Sequence, residues 1–291
     1  MLKALELYCG IGGFAKACEE FDIEVKKAYD QNENALLTYN ANFSHKAEKF
    51  NLEQISSNLL DEINADFLWM SPPCQPYTKK GIQKDIKDSR SKSFLKILES
   101  LLTCKTPPSH IGLENVEYFK YSQARELLIE TLTKMGYYIR ETTLCPTKIG
   151  IPNRRERYYM VASVKPLKKL QIKYKKQNLL SFLLHPKNPS FIPKETKKRF
   201  QKGFRIIDKI DEDTYTTCFT SSYGKSWMHS GAYLQEDNNI RLFEPEEIAL
   251  LLGFTENFIL PKQLSKRTLY KLLGNSISVY ALKEILTQFD I

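Results

Sequence analysis

The chain has 291 residues, 42% of them hydrophobic and 26% charged. That is ordinary globular composition and leaves a sizeable core available, so the length suits one large domain, or one domain with a smaller lobe. No run of about 18 apolar residues occurs, which excludes a membrane-spanning helix, and the apolar stretch Ala4 to Tyr8 is far too short for a secretory leader. The net charge of +9 suits an anionic partner, because cations set on phosphates release counterions; a generally basic, soluble surface would look the same. Cysteines at 9, 18, 74, 104, 145 and 218 form no C-x-x-C pair and no zinc spacing with histidine, so no metal site is expected. Reduced thiols in the cytoplasm, or also the nucleus of a eukaryote, fit this pattern, as does a monomer.

The first 165 residues alternate short apolar runs with amphipathic stretches. Strands are predicted at Ala4 to Tyr8, Glu24 to Tyr29, Phe67 to Met70, His110 to Leu113, Tyr138 to Leu144 and Arg157 to Ala162. Helices are predicted at Asn32 to Asn42, Ser93 to Leu102 and Ser122 to Met135. Strand and helix in series argue for an α/β fold, a mostly parallel sheet with helices on both faces and a ligand crevice beyond the strands' carboxyl ends. Residues 166–240 change character. Lysines crowd 165–176, basic residues recur over 194–202, and prolines stand at 186, 189 and 193, so this stretch reads as a smaller, loop-rich lobe. Lys165, Lys168 and Lys169 are candidate phosphate contacts. Helical patterns return at Pro245 to Leu252, Leu269 to Leu273 and Ser278 to Phe289, so 1–165 and 241–291 are expected to form the larger domain.

After the first strand comes Tyr8-Cys9-Gly10-Ile11-Gly12-Gly13, where glycines let the backbone turn tightly and approach a ligand. Twenty residues past Gly10 stands Asp30, placed to accept hydrogen bonds from ribose hydroxyls. A nucleoside-bearing cofactor is expected there. The turn also meets the dinucleotide fingerprint, which keeps a NAD enzyme open at this point.

Directly after the apolar strand at 67–70 comes Ser71-Pro72-Pro73-Cys74-Gln75-Pro76. A lone cysteine is more often a small buried hydrophobe, but prolines stiffen the chain and would hold this thiol at the mouth of the sheet. Carbon 5 of cytosine is a weak nucleophile until a thiolate adds at carbon 6 and turns it into an enamine carbon. An acid against ring N3 would stabilise that addition, and cations would favour the thiolate. Glu114-Asn115-Val116 offers the acid. Arg155 and Arg157 offer cations to hold the base carbonyl. A surface glutamate and a strand-edge arginine pair are each plausible alone; the three together at one sheet end are not.

With these residues the chain resembles the cytosine-5 methyltransferase family, in order along nearly its whole length. The resemblance implies a Rossmann-like sheet domain with a small target-recognition lobe, and S-adenosylmethionine as cofactor. It makes Cys74 the nucleophile, Glu114 the acid, and Arg155 and Arg157 the functional arginines of Asn153-Arg154-Arg155-Glu156-Arg157. It places Tyr8 to Gly13, Asp30 and Pro73 at the cofactor, with Asn275 and Ser276 of the Leu273-Gly274-Asn275-Ser276 motif packing back on that site. Where relatives carry an acid near the adenine, this chain has Asn51, beside Leu52 and Glu53. Cys218-Phe219-Thr220 with Tyr223, and Gly150-Ile151-Pro152-Asn153, are similar to signatures of the second-class DNA methyltransferase homologues. That subgroup implies an RNA substrate, cytosine-38 of aspartate tRNA, with DNA or a non-catalytic nucleic-acid-binding role as the alternatives.

Overall fold

The computed structural model describes residues 1–77, 85–193, 195–196 and 205–291. The chain divides into two compact units, Met1–Leu144 with Glu156–Gln171 and Leu282–Ile291, and Cys145–Arg155 with Ile172–Ala281.

The first unit is built on a seven-stranded sheet: β1 (Leu2–Leu7), β2 (Ile23–Asp30), β3 (Ala47–Lys49), β4 (Phe67–Met70), β5 (His110–Val116), β6 (Tyr138–Leu144) and β7 (Arg157–Ser163), in the order β3-β2-β1-β4-β5-β7-β6. The first five are parallel; β7 runs antiparallel between β5 and β6. Every residue of β4 is buried, which explains its unbroken apolar run: helices cover both faces, so no alternation is needed. On one face Leu7, Met70 and Leu113 meet Phe94 and Ile97 of α4 (Lys92–Thr103) and Leu128 of α5 (Gln123–Lys134). On the other, Trp69 stacks on Phe14 with ring centroids 5.2 Å apart. Gly112 makes room for that indole, since a Cβ there would lie 2.4 Å from the Trp69 ring. Phe289, from the unit's last segment, packs edge-on to Phe67 at 4.9 Å.

Helix starts follow their polar caps. The Asn32 side chain accepts from the Asn34 amide at the head of α2 (Glu33–Asn42), and Ser122 accepts from Arg125 at the head of α5. Two helices have no counterpart in the sequence reading. The helix α1 (Gly13–Cys18) is only six residues and opens on a glycine; α3 (Ser57–Ile63) buries one residue, Leu60, so it shows little apolar period.

The second unit contains a three-stranded sheet, β8 (Arg205–Ile207), β9 (Ala232–Glu236) and β10 (Asn239–Leu242), with helices α6 (Pro245–Leu252) and α7 (Lys266–Asn275). Its boundaries differ from the expected lobe of 166–240. Residues 145–155 join it through the Asn153–Thr216 bridge and the Arg154 amide bond to the Thr216 carbonyl. The Gly274 end of α7 joins it through Arg155. Helix α6 is tied to β10 by Arg241 and Glu247, both almost wholly buried, paired at 2.7 and 2.9 Å. Residues 166–171 belong instead to the sheet unit. Most of the second basic run, 194–202, lies outside the described residues.

Candidate active site

The order β2-β1-β4 places a topological switch at β1 and β4, where chain connections leave in opposite directions and a crevice opens beyond the strand ends. The turn after β1 lies there. Tyr8, Gly10 and Gly12 have positive φ of 56°, 54° and 91°. At Gly12 only glycine fits, because a Cβ would lie 2.3 Å from Phe43. The Gly10 amide donates to Asp30 Oδ2 at 2.9 Å, and the Asn32 amide to Oδ1 at 2.8 Å. Asp30 therefore ties the turn to the end of β2. Burial raises its carboxyl pKa, against the pull of those amides. Cys9 and Ile11 face the core, and burial pushes the Cys9 thiol well up. The Tyr8 hydroxyl donates to Ser93 at 2.9 Å.

Beneath the turn sits Glu6. Burial pushes its carboxyl up to about 8, while the Tyr39 hydroxyl and the amides of Phe14 and Ala15 bond to it. It thus anchors the first turn of α1, which Gly13 opens. Asn51 uses its side-chain oxygen to accept from Gln31 at 2.8 Å and from the Glu53 amide at 3.1 Å. It caps the Leu52–Gln54 turn, whose Leu52 is buried. Its Nδ2 remains the group that could face a base. A Cβ added at Gly10 would meet nothing within 4 Å. Open space over a bare backbone, next to a carboxylate, suits a ribose-bearing cofactor.

The nucleophile loop leaves β4 with the Ser71 amide bonded to the Leu7 carbonyl and the Ser71 hydroxyl accepting from the Trp69 indole at 3.1 Å. Asn115 Nδ2 donates to the Pro72 carbonyl at 3.1 Å, and the Tyr77 amide to the Cys74 carbonyl at 3.0 Å. These bonds fasten the proline pair at both ends. Cys74 is partly exposed, unlike buried Cys9, Cys18 and Cys145. That is the expected difference between a reacting thiol and a packing one.

Glu114, on β5, is 9% exposed and pairs with Arg157 Nε, at the start of β7, at 3.3 Å. The cross-strand register sets Val116 against Arg157. Nucleophile loop, acid and cation thus converge on the carboxyl end of β4 and β5, joined through Asn115.

Arg155 departs from its expected partnership with Arg157. Its Nη1 donates to Cys218 Sγ at 3.3 Å and to the Phe219 carbonyl at 3.2 Å; its Nη2 donates to the carbonyls of Gly274 and Ser276. The guanidinium is a staple inside the second unit, 3% exposed. Phe219 and Tyr223, of the signature that the sequence shares with the subgroup, are 3% and 1% exposed and stand edge to face at 4.9 Å. The Tyr223 hydroxyl donates to Ala232 and accepts from the Phe243 amide. Cys218 and Thr220 are partly exposed beside them. Asn275 is exposed and Ser276 buried, both in the second unit. Lys165, Lys168 and Lys169 are exposed on the sheet unit, Lys168 pairing with Asp290 at 2.5 Å.

Sequence reasoning missed Glu6, Ser93 and Tyr77. Glu6 carried a usable signal, an acid inside an apolar strand. The other two are fixed by contacts across 85 and 14 residues, which no local pattern encodes.

Comparison with known proteins fits this geometry. A family model described as C-5 cytosine-specific DNA methylase matches residues 2–232 and 187–290. A DNA (cytosine-5)-methyltransferase of Dictyostelium discoideum is 31% identical over 98% of this chain and 93% of its own. A tRNA (cytosine(38)-C(5))-methyltransferase of Bos taurus is 29% identical over 98% of each. The crystal structure of the S. pombe Dnmt2 methyltransferase superposes with a TM-score of 0.88 at 28% identity, covering 99% of this chain and 98% of that one.

Proposed function

Because the chain belongs to the C-5 cytosine-specific DNA methylase family, we propose that it methylates carbon 5 of cytosine in RNA, with S-adenosylmethionine as donor and cytosine-38 of aspartate tRNA as target. One observation carries the reading: a proline-held, partly exposed Cys74, fastened through Asn115 to the Glu114–Arg157 pair at one end of the sheet.

The target base leaves its stack, which costs least in a single-stranded loop. The Cys74 thiolate adds to carbon 6 and raises electron density on carbon 5, the atom to be methylated. Glu114 hydrogen-bonds ring N3 and offsets the charge that develops there; Arg157 holds Glu114 in place and reaches the base carbonyl. When bound, S-adenosylmethionine supplies an electrophilic methyl group on a sulfonium sulfur. The turn at Tyr8 to Gly13 would hold it, with Asp30 on the ribose and Asn51 Nδ2 toward the adenine. Loss of the carbon 5 proton then releases Cys74. Exposed lysines, Lys165 and Lys169 among them, meet phosphates, so binding weakens steeply with salt.

RNA is favoured over DNA because the stretch between Arg157 and Gly274 is short for a sequence-reading recognition lobe, and a relative matched over nearly its whole length is named a tRNA enzyme. The test supplies labelled S-adenosylmethionine with total tRNA or duplex DNA, using wild type and Cys74→Ala. Label enters tRNA with wild type alone. Label in DNA only overturns the substrate, and equal label with both variants overturns the mechanism.

A further inference from the structure

Methyl transfer needs two turns of the chain at one spacing. The donor's methyl and the Cys74 sulfur must reach neighbouring carbons of one ring, and a misplacement of about 1 Å can cost about 10²-fold in rate. The strand ladder sets that spacing up to the Ser71 amide bond to the Leu7 carbonyl, where β1 and β4 have both ended. A second tie lies beyond it. The cofactor turn opens on Tyr8, whose φ of 56° is rare for a residue with a side chain and persists where the surroundings impose it. The Tyr8 hydroxyl donates to Ser93 Oγ at 2.9 Å. On the nucleophile side, Tyr77 donates its amide to the Cys74 carbonyl at 3.0 Å, and its hydroxyl meets Ser91 Oγ at 3.2 Å. Ser91 gives its one hydroxyl proton to the Asp85 carbonyl at 2.7 Å, so Tyr77 is the donor in that pair. Ser91 and Ser93 stand two residues apart at the head of α4, 1% and 9% exposed. Every link from Cys74 to Tyr8 is thus a hydrogen bond or a covalent one.

We propose that the head of α4 is a post shared by the two turns, with Ser91 and Ser93 as positioning residues. Ser91 holds the Cys74 turn through Tyr77, Ser93 holds the cofactor turn through Tyr8, and loosening one side loosens the other. The inference rests on the reading above, in which Cys74 attacks and the Tyr8 to Gly13 turn holds the donor. The post is itself braced. Phe94, the residue after Ser93, is wholly buried against the sheet. Asp85, whose carbonyl Ser91 holds, accepts the amides of Gln123 and Ala124 at the start of α5. A rigid post makes the coupling reciprocal: a ligand that steadies Tyr8 steadies Tyr77, and a tighter Tyr77 favours that ligand.

The test is a double-mutant cycle on S-adenosylhomocysteine affinity, measured by calorimetry on the full chain without RNA. Tyr8→Phe and Tyr77→Phe each remove one hydroxyl and keep the ring, including the Tyr77 edge contact with Phe119 at 4.9 Å, so both are expected to fold. Tyr8→Phe should weaken binding about fivefold and Tyr77→Phe about threefold. The double variant should be no weaker than about fivefold, because Tyr8→Phe has already cut the post. Losses that multiply to about fifteenfold, or no loss with Tyr77→Phe, overturn the proposal. Where wild type labels tRNA, Tyr77→Phe should also lower kcat about tenfold at saturating donor; an unchanged kcat overturns the positioning of Cys74. A wild type that binds the probe yet methylates neither tRNA nor DNA removes the reading above, and the cycle still decides whether the turns share a post. A wild type that does not bind the probe removes the post together with the cofactor turn.

Discussion

Arg155 and Arg157 are two residues apart and do opposite things. Arg155 spreads its charge over neutral acceptors, three carbonyls and one sulfur, inside the second unit. Arg157 pairs with the carboxylate of Glu114 near the carboxyl end of β5. The contrast separates a cation that ties neutral backbone groups from one paired with a carboxylate, and only the second has the charge balance that the proposed reaction would use.

Substitutions sharpen the contrast. Glu114→Gln and Arg157→Met should each lower kcat/KM for methyl transfer by about 10²–10³-fold with a melting temperature within about 2 °C of wild type; a large drop in melting temperature would break the distinction. Arg155→Met should do the reverse first. It orphans buried carbonyls and should cost about 3 kcal/mol in denaturant unfolding. Unchanged stability with lost activity would move Arg155 to the reaction side. Glu247→Gln removes the buried carboxylate of Arg241 and leaves the more exposed Glu236 as its remaining counter-charge, so it should cost about 2–3 kcal/mol, as a second staple of the same unit. The smallest effect concerns Glu6. Its folded carboxyl is raised to about 8, above its unfolded value, so the native state binds the extra proton and stability falls as pH rises. The loss between pH 5 and 7 should be about 2 kcal/mol in wild type and absent in Glu6→Gln. A flat wild-type profile would remove the neutral acid from under the turn.

The sheet unit was largely legible because its strands are short apolar runs bounded by turns, and β4 and β6 fall where the sequence places them. The second unit was not. Its strands are three to five residues long, too short to show an apolar alternation, and its elements are tied by polar contacts of Arg155, Arg241, Glu247 and the Tyr223 hydroxyl that join residues far apart in the chain. The same distinction runs through the site. Cys74, Glu114 and Arg157 carry local motifs. Phe219 and Tyr223 carry one too, yet burial makes them packing residues, and burial is a property of the folded chain.

The backbone passes between the two units four times, and the sheet unit recruits its final segment only at Leu282–Ile291. Phe289, in that segment, shields Phe67 and His110. Until that segment is made, one flank of the sheet stays bare, and cutting out residues 172–281 alone would strand the 145–155 segment without its partners. The two units are inseparable in biosynthesis as well as in sequence.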